Sequence, residues 1–208
     1  MSKKALLICN GVNSPALLQK LCREVDFVLA ADGGADAALA AGITPNAVIG
    51  DLDSVSPLTR QHFSKVLFIH VERQDNTDLE KALDWLTEQG FEECVVAGAA
   101  GGRLDFTLGN FLAVRPYLEK IKIHFQGTGW TLWPLLKAIN LSARTGARMS
   151  LIPISACRGI TLKGVKFPVE NVDWQPGQPS GRWLSNVIEN PSAQIQLESG
   201  FILVYLEE

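Results

Sequence analysis

The feature that most constrains this fold is a change of rhythm near residue 127. Before it, short apolar runs of strand length alternate with helical stretches; after it, helical patterns stop. KALLIC (4–9) reads as a buried strand, and a helix runs from Pro15 to about Arg23. FVLAAD (27–32) is a second strand, ADAALAAG (35–42) an alanine-rich helix closed by Gly42, and AVIG (47–50) a third strand. A helix follows Pro57, and VLFIHV (66–71) is the fourth strand. Thr77 caps the clearest helix: Glu80 completes a capping box, and Leu79, Ala82, Leu83 and Leu86 share one face. CVVAGA (94–99) is a fifth strand, residues 104–118 suit another helix, and KIHF (122–125) is a sixth strand. Apolar strands separated by helices require a mostly parallel, Rossmann-like α/β sheet covered on both faces.

Beyond Gly127 the segments TLWPLL, ARMSLIPIS, GITLKGVKF, SAQIQLES and FILVYLEE are of strand length and are punctuated by Gly, Pro, Asn or Ser. Residues 171–181 (NVDWQPGQPSG) read as a Pro/Gly-rich loop. The expectation is an all-β antiparallel sandwich or barrel. The two domains are expected at 1–127 and 128–208.

Charge is also unevenly spread. Nine of the ten aspartates lie in residues 1–105, where 15 acids face 9 bases; the remainder has 7 acids and 10 bases. A net charge of −3 gives no electrostatic reason to expect nucleic acid as a partner. Cys9, Cys22, Cys94 and Cys157 form no CxxC pair, which fits thiols in a reducing cytoplasm. The N-terminal apolar run is too short for a signal peptide, and none approaches the roughly 20 residues that cross a bilayer. His62, His70 and His124 share no metal-ligand spacing, and the last two read as sheet positions.

In a parallel sheet, ligands bind beyond the carboxyl ends of the strands. The aspartates fall there: Asp32 and Asp36 after strand two, Asp51 and Asp53 after strand three, Asp75 and Asp78 after strand four, and Asp105 after strand five. So many carboxylates on one edge would repel each other without cations among them, and hard oxygen donors suit Mg²⁺ shared with substrate phosphates. Gly33-Gly34 and Gly101-Gly102 open onto helix starts, where backbone amides can meet an anion. Arg103 adds a fork for phosphate oxygens. Acid for metal and amides for phosphate is the equipment of phosphoryl transfer. Asp36 and Asp84, within helices, read as ordinary solvated residues.

With these motifs in view, the chain resembles the thiamine pyrophosphokinase (thiamine diphosphokinase) family: ADGGAD (31–36), GDLDSV (50–55), QDNTDLEKAL (74–83), GGRLD (101–105), LSN (184–186) and SGFILVYL (199–206) occur in order. The resemblance implies a homodimer with sites at the subunit interface. It also implies Mg²⁺-dependent transfer of a pyrophosphoryl group from ATP to the hydroxyethyl oxygen of thiamine, giving thiamine diphosphate and AMP. By the same resemblance Asp51 and Asp53 organise metal and triphosphate, with Asp32, Asp75 and Asp105 in support. Gly33, Gly34, Thr77, Gly102 and Arg103 would complete the nucleotide site. Gln74 and Asp78 match pyrimidine-contacting positions, Ser185 and Asn186 complete the thiamine pocket from the partner subunit, and Phe167 packs on thiamine. Asp75 or Asp78 would accept the hydroxyl proton.

Phe106 stands where many members of the family have His or Gln, and Trp174 or Trp183 could replace Phe167 as the ring contact. Three other readings stay open: a pyrophosphokinase for a pterin-type alcohol, a phosphatase with a hydrophobic-DxDx[TV] motif, and a non-catalytic nucleotide or thiamine sensor. The phosphatases carry their motif on the first strand, whereas here it follows the third.

Overall fold

The computed structural model describes residues 3–73, 75–179 and 181–208. The chain divides into two compact units, one up to Thr128 and one over Gly129–Glu208. In the first, five helices and six strands alternate: β1 (Lys4–Ile8), α1 (Pro15–Cys22), β2 (Phe27–Ala31), α2 (Gly34–Ala40), β3 (Ala47–Gly50), α3 (Pro57–His62), β4 (Leu67–His70), α4 (Asp78–Glu88), β5 (Glu93–Ala97), α5 (Leu104–Ala113) and β6 (Lys122–Gly127). All their pairings are parallel, in the order β6-β5-β1-β2-β3-β4. The order turns back at β1, which has β2 on one side and β5 on the other. That reversal opens a crevice at the carboxyl ends of β1 and β5, the usual ligand position in such sheets.

Local chemistry sets the helix starts. Ser14 and Ser56 cap α1 and α3, each followed by Pro at the first helical position, whose missing N–H needs no partner there. Thr77 caps α4 with the full box: its hydroxyl accepts from the Glu80 N–H while Glu80 accepts from the Thr77 N–H at 2.9 Å. α4 buries Leu79, Ala82, Leu83 and Leu86 and packs against β2 and β3. Alternation along β1 sends Leu6 and Ile8 into a core shared with Leu18 and Leu21 of α1 and Ala38 of α2.

α5 is shorter than the pattern of residues 104–118 suggests. It stops at Ala113, and a 3-10 turn over Arg115–Tyr117 follows, because Pro116 cannot donate to continue the helix. None of its residues is buried, although it is rich in Leu and Phe.

The second unit is all β: β7 (Trp130–Leu135), β8 (Ala138–Ser142), β9 (Arg148–Pro153), β10 (Cys157–Lys163), β11 (Val169–Trp174), β12 (Asn186–Val187), β13 (Ser192–Gln196) and β14 (Ile202–Glu207). One antiparallel sheet runs β12-β9-β14-β7 and the other β11-β10-β13-β8. Met149 and Val204 from one sheet and Ile160 and Ile195 from the other share a core, with Trp183 buried among them. The structure corrects the pattern reading at three points. β8 follows β7 with no Gly or Pro to mark it. β11 is a half-exposed strand inside what reads as loop, so that loop begins after Trp174. GITLKGVKF is broken at Gly164, whose φ of +82° ends β10.

Candidate functional site

A cleft of about 560 Å³ opens at the switch point. Its floor is the loop after β1 and the loop after β5, bonded to each other by Gly11 N to the Gly98 carbonyl (2.7 Å) and Val12 N to the Ala100 carbonyl (2.9 Å). A Cβ at Gly11 would lie 2.3 Å from that Gly98 oxygen, so only glycine permits this approach. Asn10, Gly11 and Val12 line the cleft opposite Gly101, Gly102 and Arg103, with Asn110 beyond them. The β1 loop was absent from the sequence reading. The signal was present, since CNGVNSP follows the first strand and the same strand-end rule applies to it.

Carboxylates gather on one wall. Asp32, Asp51 and Asp78 offer oxygens that all lie within 4.8 Å of one another. Asp32 is 5% exposed and sits at φ +44°, unusual for any residue but glycine. Burial pushes its carboxyl above the usual range, aided by the charge of Asp78, while Ser54 opposes the rise. Gly50, at φ +148°, leaves room for the group: a Cβ there would lie 3.0 Å from both the Asp32 Cβ and the Asp78 Oδ1. Asp51 Oδ1 accepts from the Asp53 N–H at 3.2 Å, and Asp53 Oδ1 accepts from the Ser54 hydroxyl at 2.9 Å. Asp53, Thr77 and Asp78 line the cleft.

Lys81, which the sequence reading passed over, is the main addition. Its side chain is 3% exposed and its Nζ donates to Asp78 Oδ1 at 2.9 Å. One buried cation therefore offsets part of the charge of the three acids. A lysine three residues after an aspartate reads as a surface pair, and only the packing of α4 on the sheet reveals its burial.

The other expected residues are placed differently. Asp75 and Arg73 form an exposed pair, with Arg73 Nε donating at 3.1 Å, which holds the Asp75 carboxyl below its usual range. Asp75 is outside the three-carboxylate group. Arg103 lines the cleft, donates to Asp105 from both Nε (3.2 Å) and an Nη (2.6 Å), and lies 4.4 Å from the centre of the Phe106 ring. Gly33 and Gly34 are buried: their missing Cβ atoms admit the Asn10 side chain and the Ile8 carbonyl oxygen, which packs α2 on β1. Gly102 is exposed, at φ +73°, with open space where its Cβ would be. Gln74 lies outside the described residues.

Asp36 and Asp84 are corrections, since neither is simply solvated. Asp36 accepts from the Ser56 N–H (3.2 Å), the Ser56 hydroxyl (2.6 Å) and the Thr59 hydroxyl. Burial opposes them, but these bonds hold its carboxyl below the usual range. Asp84 accepts from the Tyr117 hydroxyl at 3.0 Å and lies 3.8 Å from Arg73. Cys9 lines the cleft, but burial, with the charge of Asp78, pushes its thiol up to about 12, so it cannot supply a thiolate nucleophile.

In the second unit a cleft of about 550 Å³ brings Phe167, Arg182, Leu184 and Ser185 together. Ser185 takes φ +57° and its N–H donates to the Ser150 hydroxyl at 3.0 Å. Asn186 is buried and frames Phe167: its Oδ1 accepts from the Phe167 N–H (3.0 Å) and its Nδ2 donates to the Phe167 carbonyl (2.8 Å). Lys166 Nζ lies 5.4 Å from the centre of the Phe167 ring. Trp174 is only partly buried, against the core that encloses Trp183.

Comparison with known proteins meets this geometry. The family model for the thiamin pyrophosphokinase catalytic domain matches residues 18–125, and that for the vitamin B1 binding domain of the same enzymes matches residues 138–202. A thiamine pyrophosphokinase of Bacillus subtilis is 30% identical over 147 residues, covering 67% of this chain and 69% of that protein. Thiamine pyrophosphokinase 1 of Oryza sativa is 27% identical, over 76% of this chain and 64% of its own. The crystal structure of thiamin pyrophosphokinase from Geobacillus thermodenitrificans superposes with a TM-score of 0.85 at 26% identity, over 99% of this chain and 97% of that one. A parallel α/β unit with a carboxylate-walled cleft, an antiparallel sandwich and both matched family models therefore agree, and the chain belongs to the thiamine pyrophosphokinase family of enzymes.

Proposed function

We propose that this protein transfers the terminal pyrophosphoryl group of ATP, as its magnesium complex, to the hydroxyethyl oxygen of thiamine, leaving AMP. The observation that carries the proposal is the convergence of Asp32, Asp51 and Asp78 on one another, with Asp32 and Asp78 lining the switch-point cleft, in a chain of this family. Three hard carboxylates of which one is already balanced by Lys81 suit a divalent cation shared with a triphosphate. Asp51 would hold it with Asp32 and Asp78, and Asp53 beside them faces the same cleft. Asp75, tied to Arg73, is left without a metal role. When bound, the cation supplies charge neutralisation for the transferred group.

The thiamine oxygen attacks the β-phosphorus, the bond from that phosphorus to the oxygen bridging the α- and β-phosphates breaks, and its electron pair leaves with AMP. Arg103 and the main-chain amides at Gly101 and Gly102 are placed to receive phosphate oxygens; for Arg103, substrate competes with Asp105. Asp78 and Asp75 each already accept a bond from a cationic side chain, and the hydroxyl proton is proposed to leave to solvent water as the oxygen attacks. Positioning and charge neutralisation carry the rate, as in other phosphoryl transfers. In the second unit, Phe167 is the proposed ring contact for the thiazolium, with Lys166 now in the cation's place over it. Ser185 lines the same cleft, and Asn186 acts by holding Phe167.

Exposed Leu104, Phe106, Leu108 and Leu112 on α5 support a homodimer. Among the described residues no helix is long and apolar enough to cross a membrane, and four free cysteines suit a reducing cytoplasm. The test is incubation with ATP, Mg²⁺ and thiamine. Equal yields of AMP and thiamine diphosphate are expected. Release of inorganic phosphate would favour a phosphatase, faster AMP formation with a pterin alcohol a different acceptor, and tight binding without AMP a sensor.

A further inference from the structure

We infer that Asp36 and Arg60 are positioning residues: from α2 and α3 they hold the turn Asp51–Leu52–Asp53, so that Asp51 meets Asp32 and Asp78 while Asp53 faces the cleft. The inference rests on the reading that these carboxylates organise a divalent cation.

The turn needs holding. It lies between β3 and α3 with no ladder partner of its own, and Leu52 within it takes φ +67°, a conformation that a leucine avoids without restraint. The Leu52 side chain is buried with Ala30, Ala35, Val48 and Val55. That anchor fixes one point but not the rotation of the peptide groups on either side, and it is those that aim Asp51 and Asp53. Arg60, one turn into α3, donates from its guanidinium to the Leu52 carbonyl and lies 5.9 Å from the centre of the Phe68 ring. A charge-assisted bond to that carbonyl sets the left-handed peptide plane between the two aspartates.

The start of α3, which follows the turn, is tied by Asp36. Its carboxylate takes three donors from the start of α3, while the Ser56 hydroxyl also caps that helix by accepting from the Thr59 N–H. Asp36 lies on α2, four residues after Asp32. The tie therefore joins the element that follows Asp32 to the element that follows Asp53, and so fixes the spacing of Asp32 from Asp51. A second link runs the same way, from the Ser54 N–H to Asp32 Oδ1 at 3.3 Å. Neither Asp36 nor Arg60 belongs to the carboxylate group or lines the cleft.

The test compares wild type with Asp36→Ala, Asp36→Asn, Arg60→Met and Arg60→Lys. Binding of Mn²⁺ alone, followed by the electron paramagnetic resonance signal of the free ion, is set beside amide hydrogen exchange. Asp36→Ala and Arg60→Met are expected to weaken Mn²⁺ binding by about ten- to hundred-fold, the usual loss when partners of metal-binding side chains are removed. They should speed exchange in residues 51–56 and leave β1 and β5 unchanged. Arg60→Lys and Asp36→Asn, which keep a donor to the carbonyl and an acceptor for Ser56, should recover most of the binding. Wild-type binding in Arg60→Met, at an exposed position, would overturn the inference, as would exchange raised throughout the unit. Absence of Mn²⁺ binding to the wild type would instead sink the cation reading, and the inference with it.

Discussion

At the scale of single residues, the site is built from conformations and charges the fold does not favour. Asp32 is buried, left-handed and beside another acid, so its ionised form is costly in the folded chain. Its folded pKa is raised. The contribution of Asp32 to stability is thus fully present below its unfolded pKa of about 3.9 and is lost as pH rises through the folded value. Asparagine keeps an acceptor for the Ser54 N–H and tolerates the left-handed region well. Asp32→Asn is therefore expected to be more stable than wild type near pH 7, with the gain shrinking toward pH 4. Chemical denaturation across that range checks it, and a less stable variant at pH 7 would contradict the reading. Such a gain, with turnover lost, is the usual exchange of stability for function. The aspartates of the wall were legible in the sequence because they follow strands. Lys81 and the bonds of Asp36 were not, because the first depends on how α4 packs on the sheet and the second on where α3 starts beside α2.

At the scale of elements, regular pieces with strong local chemistry were the readable ones. The capping box at Thr77, the Ser-Pro helix starts and the apolar runs of β1 to β6 are written in short stretches of chain. β8 and β11 were missed because one lacks punctuation and the other alternates weakly on an edge. The glycines of ADGGAD read as phosphate-facing, whereas the structure uses them to bring α2 onto β1. A methyl at Gly34 would lie 2.0 Å from the Ile8 carbonyl oxygen, a backbone atom with little freedom to move. Gly34→Ala should destabilise by about 3 kcal/mol or more, as overpacking of a tight contact does. Thermal unfolding of the purified variant would show it; an unchanged midpoint would mean that α2 can slide on the sheet.

For the whole molecule, the divided charge becomes local. Three aspartates of the first half gather at one edge of one sheet, and the second half has no comparable group among the described residues. The unread part at this scale was α5. Its composition reads as core, yet Leu104 is 71% and Leu108 54% exposed. If a second copy covers this face, Leu108→Glu should shift the protein from dimer to monomer in light scattering at micromolar concentration, with little change in the melting of the isolated chain. A wild-type protein that is monomeric at those concentrations would remove the support this face gives to a dimer.

The bond between Lys81 and Asp78 also bears on how such a site can change over generations. Loss of the lysine alone strips the acidic wall of its internal counter-charge. Loss of the aspartate alone strands an ammonium group where water cannot reach it. Each single step away from the pair leaves an unbalanced charge, and losing both would remove one of the three carboxylates proposed to hold the cation. The pair is therefore expected to be inherited as a unit.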